Sequence, residues 1–470
     1  MLFWTKLLTI AHATTISVHP FLILYYIYHL HLDVFIIYLL SSCAILLKMP
    51  AAMVWIHIID RHPSLHGVLT GLLTAIGVIG ILIILSIPPT WTPFILPSAI
   101  ISCILDGSFF QPLEVVIDSA IIKILGDYKI LYAKERNWGK FTLAIVTLVI
   151  GYFLEGDHDF DTLMVVLLIG SVALFLLSLS TNVQAVDPAL LVGRQHQPLL
   201  TTEVIYKPYH IFGEHLSHIS EEDASMLQRM TTTHSKYTSI IDQYASFDLV
   251  RLPYPPASSA SIVLMSSLKI SRSHEEDAQE KRVARFMQIS FLCLGIVRGM
   301  TQSVIYLFLY DKLKMPTYII GAVGSMETLS SLLADRLLIH VTEHVTHLWI
   351  VTCSAYTLSL LSTVVYIYLT MDTTLTQVSV IILQLCQGLS FHMIWLLAIN
   401  HVNSSLLTED KRMMLKGYLS TVYSYVGYAL GVIATGYLIS SNHDYTLIYK
   451  YSLLFILSSA FLAWEWTFTF

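Results

Sequence analysis

Seven ionisable side chains sit inside long apolar runs: Lys48, Asp106, Glu114, Asp118, Arg298, Glu327 and His392. A charge at the centre of a bilayer costs about 2.5–3.5 kcal/mol on the insertion scale, so each needs a partner, a cavity or a task. Glu114 and Asp118 are four residues apart and share one helix face. Two like charges this close repel, and a proton on one relieves the repulsion, which is the chemistry of proton coupling. The structural alternative is an ion network with Lys123 or Arg136. Arg298 and Glu327 fall in successive apolar runs. They make a buried ion pair, or a site where Glu327 exchanges a proton or a cationic solute beside Arg298. Gln387, Phe391 and Trp395 recur at i, i+4 and i+8, with His392 beside them. That face could stack a ring-bearing solute or pack a neighbouring helix, and His392 could carry a proton or bond a nearby backbone group. Lys48 either snorkels or pairs with Asp118.

The elements that must position these residues are membrane helices. The chain has 470 residues, 55% hydrophobic and 12% charged, with mean hydropathy +0.68. A soluble domain carries about 25% charged residues, so this chain needs lipid as its solvent. The net charge of -6 offers no basic patch for nucleic acid. Five cysteines are scattered through apolar segments with no CxxC spacing and no Cys/His cluster. Neither a disulfide framework nor a metal site follows, and no cofactor is implied. The expected fold is all-α, with twelve transmembrane spans near residues 4–28, 34–59, 67–87, 94–122, 140–155, 161–181, 286–310, 316–335, 347–370, 376–401, 414–440 and 446–468. The N-terminal stretch reads as a first span rather than a cleaved leader.

Composition changes sharply between the sixth and seventh spans. Residues 182–284 hold six prolines and the acidic run Glu221-Glu222-Asp223. They are expected to form a largely disordered linker between six-span halves at 1–181 and 285–470. A short amphipathic piece at 260–271 is expected on the membrane surface. Lys and Arg concentrate in the loops on the linker side: Lys123, Lys129, Lys134, Arg136 and Lys140 after the fourth span, Lys411, Arg412 and Lys416 after the tenth. The opposite side holds Lys312, Lys314 and Lys450 with the acidic set Glu155, Asp157, Asp159 and Asp161. The positive-inside bias puts the linker and both termini in the cytoplasm. The sequon Asn403-Ser404-Ser405 then faces inward and carries no glycan.

The halves echo each other. The second span ends in Asp60-Arg61 and the eighth in Asp335-Arg336, on the same membrane side. Matched features in two halves point to a duplicated carrier. Three stretches resemble the major facilitator superfamily, in particular its MFS-associated (MFS-1-like) branch, which is related to lactose permease-type symporters. The first is Pro112-Leu113 with Asp118, then Leu125-Gly126-Asp127, then Tyr132 to Gly139 with Arg136 and Trp138. The second runs from Phe308 to Glu327, and the third is Gln387 to Trp395, followed by Lys416-Gly417 and Gly427, Gly431 and Gly436. Ala133 stands where the pattern has Gly, and of the usual loop signature after the second span only Asp60-Arg61 remains. The resemblance implies two six-helix bundles about a central cavity and alternating access for a small-molecule substrate, with protons as a coupling ion. Substrate or proton candidates are Glu327, Arg298, Glu114, Asp118, His392, Gln387 and Trp395. Asp60, Arg61, Arg136, Trp138, Asp335 and Arg336 are the loop and gating candidates. A facilitative carrier and a non-transporting receptor or scaffold would share this fold. No HExxH, no GxSxG and no phosphate-cradling loop points to an enzyme.

Overall fold

A computed structural model describes residues 2–125, 131–154, 160–180, 249–250, 252–263, 278–344, 348–369, 373–405 and 407–468. Ten of its helices are long and apolar enough to cross a membrane. They are α1 (Phe3–His29), α2 (Val34–Arg61), α3 (His66–Leu85), α4 (Thr92–Leu125), α6 (Asp161–Ser180), α7 (Arg282–Lys312), α9 (Trp349–Tyr368), α10 (Thr374–Ser404), α11 (Lys411–Asn442) and α12 (Tyr445–Thr467). Two more polar helices complete twelve: α5 (Tyr132–Phe153) and α8 (Thr317–His344). The spans are helical because lipid offers no partner for backbone polar groups, and a helix satisfies them within one segment. Local signals set several ends. Asp33 caps α2 by accepting from the Ile36 N–H at 3.4 Å, and Thr373 caps α10 through the Thr376 N–H at 3.2 Å.

The two halves repeat in detail. Span α1 ends in a π-turn, Tyr25–His29, followed by left-handed His31 at φ 52°. Span α7 ends in a π-turn, Phe308–Lys312, followed by left-handed Lys314 at φ 52°. The closing bonds match as well: Leu30 to Tyr25 and Leu32 to Tyr26 in one half, Leu313 to Phe308 and Met315 to Leu309 in the other. Packing repeats too. Helix α1 lies on α5 and α6 as α7 lies on α11 and α12, and α3 meets α4 and α6 as α9 meets α10 and α12.

Between the bundles α2 packs on α11 and α5 packs on α8. Adding six to each number exchanges these two pairs, which is the signature of a two-fold axis along the membrane normal. Far from the linker the contacts are direct. Gly151 of α5 and Gly321 of α8 face each other so closely that a methyl carbon on Gly151 would lie 2.7 Å from the Gly321 Cα. The Tyr38 hydroxyl donates to the Ser303 carbonyl at 3.1 Å, and Ser42 donates to the Ala429 carbonyl at 3.1 Å.

Three expectations change. Helix α5 starts at Tyr132, eight residues before the expected span, so Arg136 and Trp138 lie in its first turns rather than in a loop. Buried Glu135, accepting from Thr5 at 2.8 Å, ties those turns to α1 and lets the helix continue through charged residues. The helix of the seventh span begins at Ala278, inside the expected linker. Residues 260–263 form a 3₁₀ turn packed on the start of α11, with Ala260, Ser261 and Ile262 buried in protein rather than lying on the membrane. The rest of the 260–271 piece, and most of the linker, lies outside the described residues.

Candidate functional site

A cavity of about 420 Å³ lies between the bundles, reaching from mid-membrane toward the side opposite the linker. Its polar wall is built by His19, Lys48, Asp106 and Gln111 of the first bundle and by Gln302 and Glu327 of the second, with Tyr26, Tyr38, Tyr306 and Tyr428 between them. Asp106 opens a π-turn, Asp106–Phe110, in the middle of α4. The extra residue per turn re-aims its side chain, and such bulges recur at functional sites. Gly107 makes room for this. A methyl carbon there would lie 2.8 Å from the Ala44 carbonyl oxygen of α2. Asp106 Oδ1 sits 2.8 Å from His19 Nε2, and Gln111 Nε2 donates to Oδ2 at 2.6 Å. The His19 ring stacks on Phe110 with centroids 5.0 Å apart.

Behind this wall, toward the linker, α4 presents both of its paired carboxylates to two cations. Lys48 Nζ lies 2.8 Å from Glu114 Oε2. Arg136 places Nη2 2.8 Å from Glu114 Oε1 and Nε 3.5 Å from Asp118 Oδ1. Lys48 thus takes Glu114, not Asp118, because Arg136 already sits between the carboxylates one turn apart. Ser258 donates to Glu114 Oε1 at 2.8 Å and Ser259 to Asp118 Oδ2 at 2.9 Å, both from the segment before α7. Asp127, the other partner considered for Arg136, lies outside the described residues.

The second bundle differs in kind. Arg298 and Glu327 form no direct ion pair. The Arg298 Nε donates to Gln302 Oε1 at 3.0 Å, and the Gln302 amide donates to Glu327. The guanidinium instead lies over the rings of Tyr423 and Tyr428, 5.3 and 5.9 Å from their centroids. Glu327 also receives Gln384 Nε2 at 3.5 Å, and Gln384 in turn accepts from the Tyr366 hydroxyl at 3.2 Å. Glu327 therefore faces the cavity with amides as its partners.

The face formed by Gln387, Phe391 and Trp395 does not line the cavity. It is packed inside the second bundle, where Trp395 stacks on Tyr423 with centroids 5.7 Å apart and donates to the Pro255 carbonyl at 3.2 Å. A helix face this apolar is covered by a neighbouring helix before a solute reaches it. His392 Nδ1 sits 2.8 Å from the Gly388 carbonyl of its own helix.

The gating candidates divide as well. Asp60 pairs with Lys123 at 3.1 Å inside the first bundle, and Asp335 pairs with Lys140 at 2.8 Å across the bundles. Arg61 and Arg336 are exposed. Trp138 is exposed and carries Lys6 Nζ 5.4 Å from its ring centroid. Sequence reasoning missed His19, Gln111, Gln302 and Gln384. Their signal was available: a side-chain amide or imidazole inside an apolar span is as much in need of a partner as a charge is.

Two six-helix bundles related by a two-fold axis, with ionisable groups facing a cavity between them, define a secondary transporter that works by alternating access. The sequence profile of the MFS_1 like family matches residues 6–451, and the chain belongs to that family. Among solved structures the chain is similar to the nucleoside transporter NupG, at TM-score 0.64 and 13% identity, covering 100% of this chain and 99% of that one. It is similar to tetrameric PepTSo2 at TM-score 0.56 and 10% identity, covering 98% and 96%. A POT family transporter in complex with 5-aminolevulinic acid gives TM-score 0.58 and 13% identity, covering 97% and 94%. At these identities the likeness concerns the fold. No curated protein matches by sequence.

Proposed function

We infer that this multi-pass membrane protein moves a small polar solute by alternating access coupled to a proton, and that Glu327 carries the proton. The observation that carries this reading is the contrast between the two bundles. Glu114 and Asp118 face two cations. Glu327 lies at the cavity with the amides of Gln302 and Gln384 for partners. An ionised carboxylate there is tolerable beside water. In an occluded, dry state it costs several kcal/mol, and a proton removes that cost. The step is a proton binding to a Glu327 carboxylate oxygen from one side and leaving to the other. Arg298, held between two tyrosines and bonded to Gln302, keeps Gln302 aimed at the carboxylate.

The cavity volume falls in the range of small-molecule sites. Its mixed wall, which includes Lys48, Asp106 and Glu327, suits a solute that carries hydrogen-bond donors and acceptors or both charges. The nucleoside transporter and the peptide transporters of similar fold handle solutes of this scale. Transport, not catalysis, is the reading, with lipid and solute as the partners. The excess of Lys and Arg in loops on the linker side supports a cytoplasmic linker and cytoplasmic termini.

The test is a screen of solutes against proteoliposomes loaded with a pH-sensitive dye. A true substrate acidifies the lumen when it enters with protons. Glu327→Gln, which mimics the protonated form, is expected to abolish that signal and pH-driven accumulation while solute exchange persists. Undiminished proton entry in that variant removes Glu327 from the mechanism. Solute entry without proton movement in the unaltered protein makes it a facilitative carrier.

A further inference from the structure

We propose that the linker-side cleft between the bundles is a peptide-binding groove, and that its ligand is residues 252–263 of the same chain together with Leu249 and Val250, which close the route until they are displaced. The inference rests on the central cleft being the solute route, and it adds an occupant that the transport cycle does not require.

The two ends of the route are closed in different ways. On the side opposite the linker, helices touch helices, through Gly151 against Gly321 and Tyr38 against Gly436. On the linker side, α2 and the start of α11 both pack on residues 260–263. The segment spans the gap and bonds to both bundles.

Its chemistry matches the wall. Pro253, Pro255 and Pro256 have no N–H, so this stretch presents mainly acceptors. The wall of α10 and α11 presents donors. Asn403 Nδ2 donates to the Pro253 carbonyl at 2.7 Å, Trp395 Nε1 to the Pro255 carbonyl at 3.2 Å, and Ser424 to the Ala257 carbonyl at 3.1 Å, with Ser420 on the same oxygen. The Tyr425 hydroxyl donates to the Ser258 carbonyl, and Lys416 reaches the Val250 carbonyl. On the other bundle the polarity reverses, and the segment now donates. Ser258 and Ser259 give their hydroxyl protons to Glu114 and Asp118. Leu249, Val250, Ser259 and Ala260 are fully buried. A loop merely passing over the surface keeps its carbonyls in water; this one has five of them bonded to side chains of one wall.

The groove's specificity is therefore for a proline-containing peptide that turns at two adjacent hydroxyl-bearing residues, Ser258 and Ser259. An anionic group at those positions would meet Glu114 and Asp118 at contact distance and be repelled.

The experiment uses the full chain in nanodiscs with Cys43, Cys103, Cys293, Cys353 and Cys386 replaced by serine and one reporter, Ser424→Cys, in the groove. Its labelling rate by a charged, membrane-impermeant thiol reagent is measured. Replacing residues 252–263 with a Gly/Ser stretch of equal length is expected to speed labelling at least tenfold. A synthetic peptide covering residues 249–263 is expected to restore slow labelling. The same peptide with glutamate in place of Ser258 and Ser259 is expected to leave it fast. Equal rates in the two chains, no slowing by the natural peptide, or equal slowing by both peptides overturns the proposal. Should the replaced chain fail to fold, Ser258→Glu with Ser259→Glu in the full chain decides it: a tenfold faster rate upholds the groove, and an unchanged rate overturns it. Labelling reads occupancy of the groove, whereas the dye assay reads solute and proton movement, so failure of either reading is told apart from failure of the other.

Discussion

Removing the Arg136 guanidinium would leave two carboxylates, one helix turn apart, facing a single ammonium. Arg136 holds Glu114 at 2.8 Å and Asp118 at 3.5 Å, and the three side chains are 22%, 22% and 5% exposed. Orphaning one partner of a buried pair costs about 3–5 kcal/mol. The partial exposure of Arg136 and Glu114 puts the expected cost of Arg136→Met at the lower end, about 3 kcal/mol. Arg136→Lys keeps the charge but loses the fork, so one ammonium cannot reach both carboxylates. Its expected cost is about 1–2 kcal/mol, near that of one charge-assisted hydrogen bond. The assay is unfolding of reconstituted protein in mixed micelles by titration with sodium dodecyl sulfate, followed by tryptophan fluorescence. A double-mutant cycle with Glu114→Gln isolates the pair, and a coupling of about 1–3 kcal/mol is expected. If Arg136→Met and Glu114→Gln add within about 0.5 kcal/mol, the two groups do not interact energetically and the network argument fails.

Other variants test separate parts of the structure. Lys140→Met removes the ion pair that joins α5 to α8 on the linker side; being partly exposed, the pair is expected to contribute about 1 kcal/mol or less, and its loss should speed labelling of a groove cysteine severalfold. Gly321→Val puts a side chain where even a methyl carbon would lie 2.9 Å from the Gly151 Cα; closure opposite the linker should fail, and a cysteine at Ser303 should become reactive from that side. His392→Ala removes a bond to a carbonyl of its own helix; stability should change by about 1 kcal/mol or less, and substrate-driven proton entry should persist. Loss of proton entry in that variant would make His392 a proton carrier.

The architecture was legible because it depends on composition and period. Twelve apolar runs, one polar interruption and a repeated Asp-Arg were sufficient for two bundles. The site was legible only where a charge broke an apolar run. Glu114, Asp118, Arg136 and Lys48 do converge, yet their pairing depends on which helices face each other, and spacing along the chain says nothing of that. The linker segment at 249–263 was hidden for a different reason. Its prolines and serines have the composition of a disordered loop. A segment with few apolar side chains can still be ordered when another surface bonds its backbone carbonyls, and that surface is built from residues more than 130 positions away.

The repeated Asp-Arg shows how far a shared scaffold constrains function. Asp60 and Asp335 occupy corresponding positions at the linker-side ends of α2 and α8. The copies have taken different partners. Asp60 binds Lys123 of its own bundle, so that bond survives any rocking of one bundle against the other. Asp335 binds Lys140 of the opposite bundle, so that bond must break whenever the linker side opens. The same residue type in the same place therefore bonds within its own bundle in one half and across the bundles in the other. The central charges follow the same division. The first bundle carries a compensated network of two carboxylates and two cations, with the linker serines bonded to it. The second carries a carboxylate bonded to amides at the cavity. Symmetry fixes where the helices run, and its breaking, side chain by side chain, gives the two halves different bonds at corresponding places.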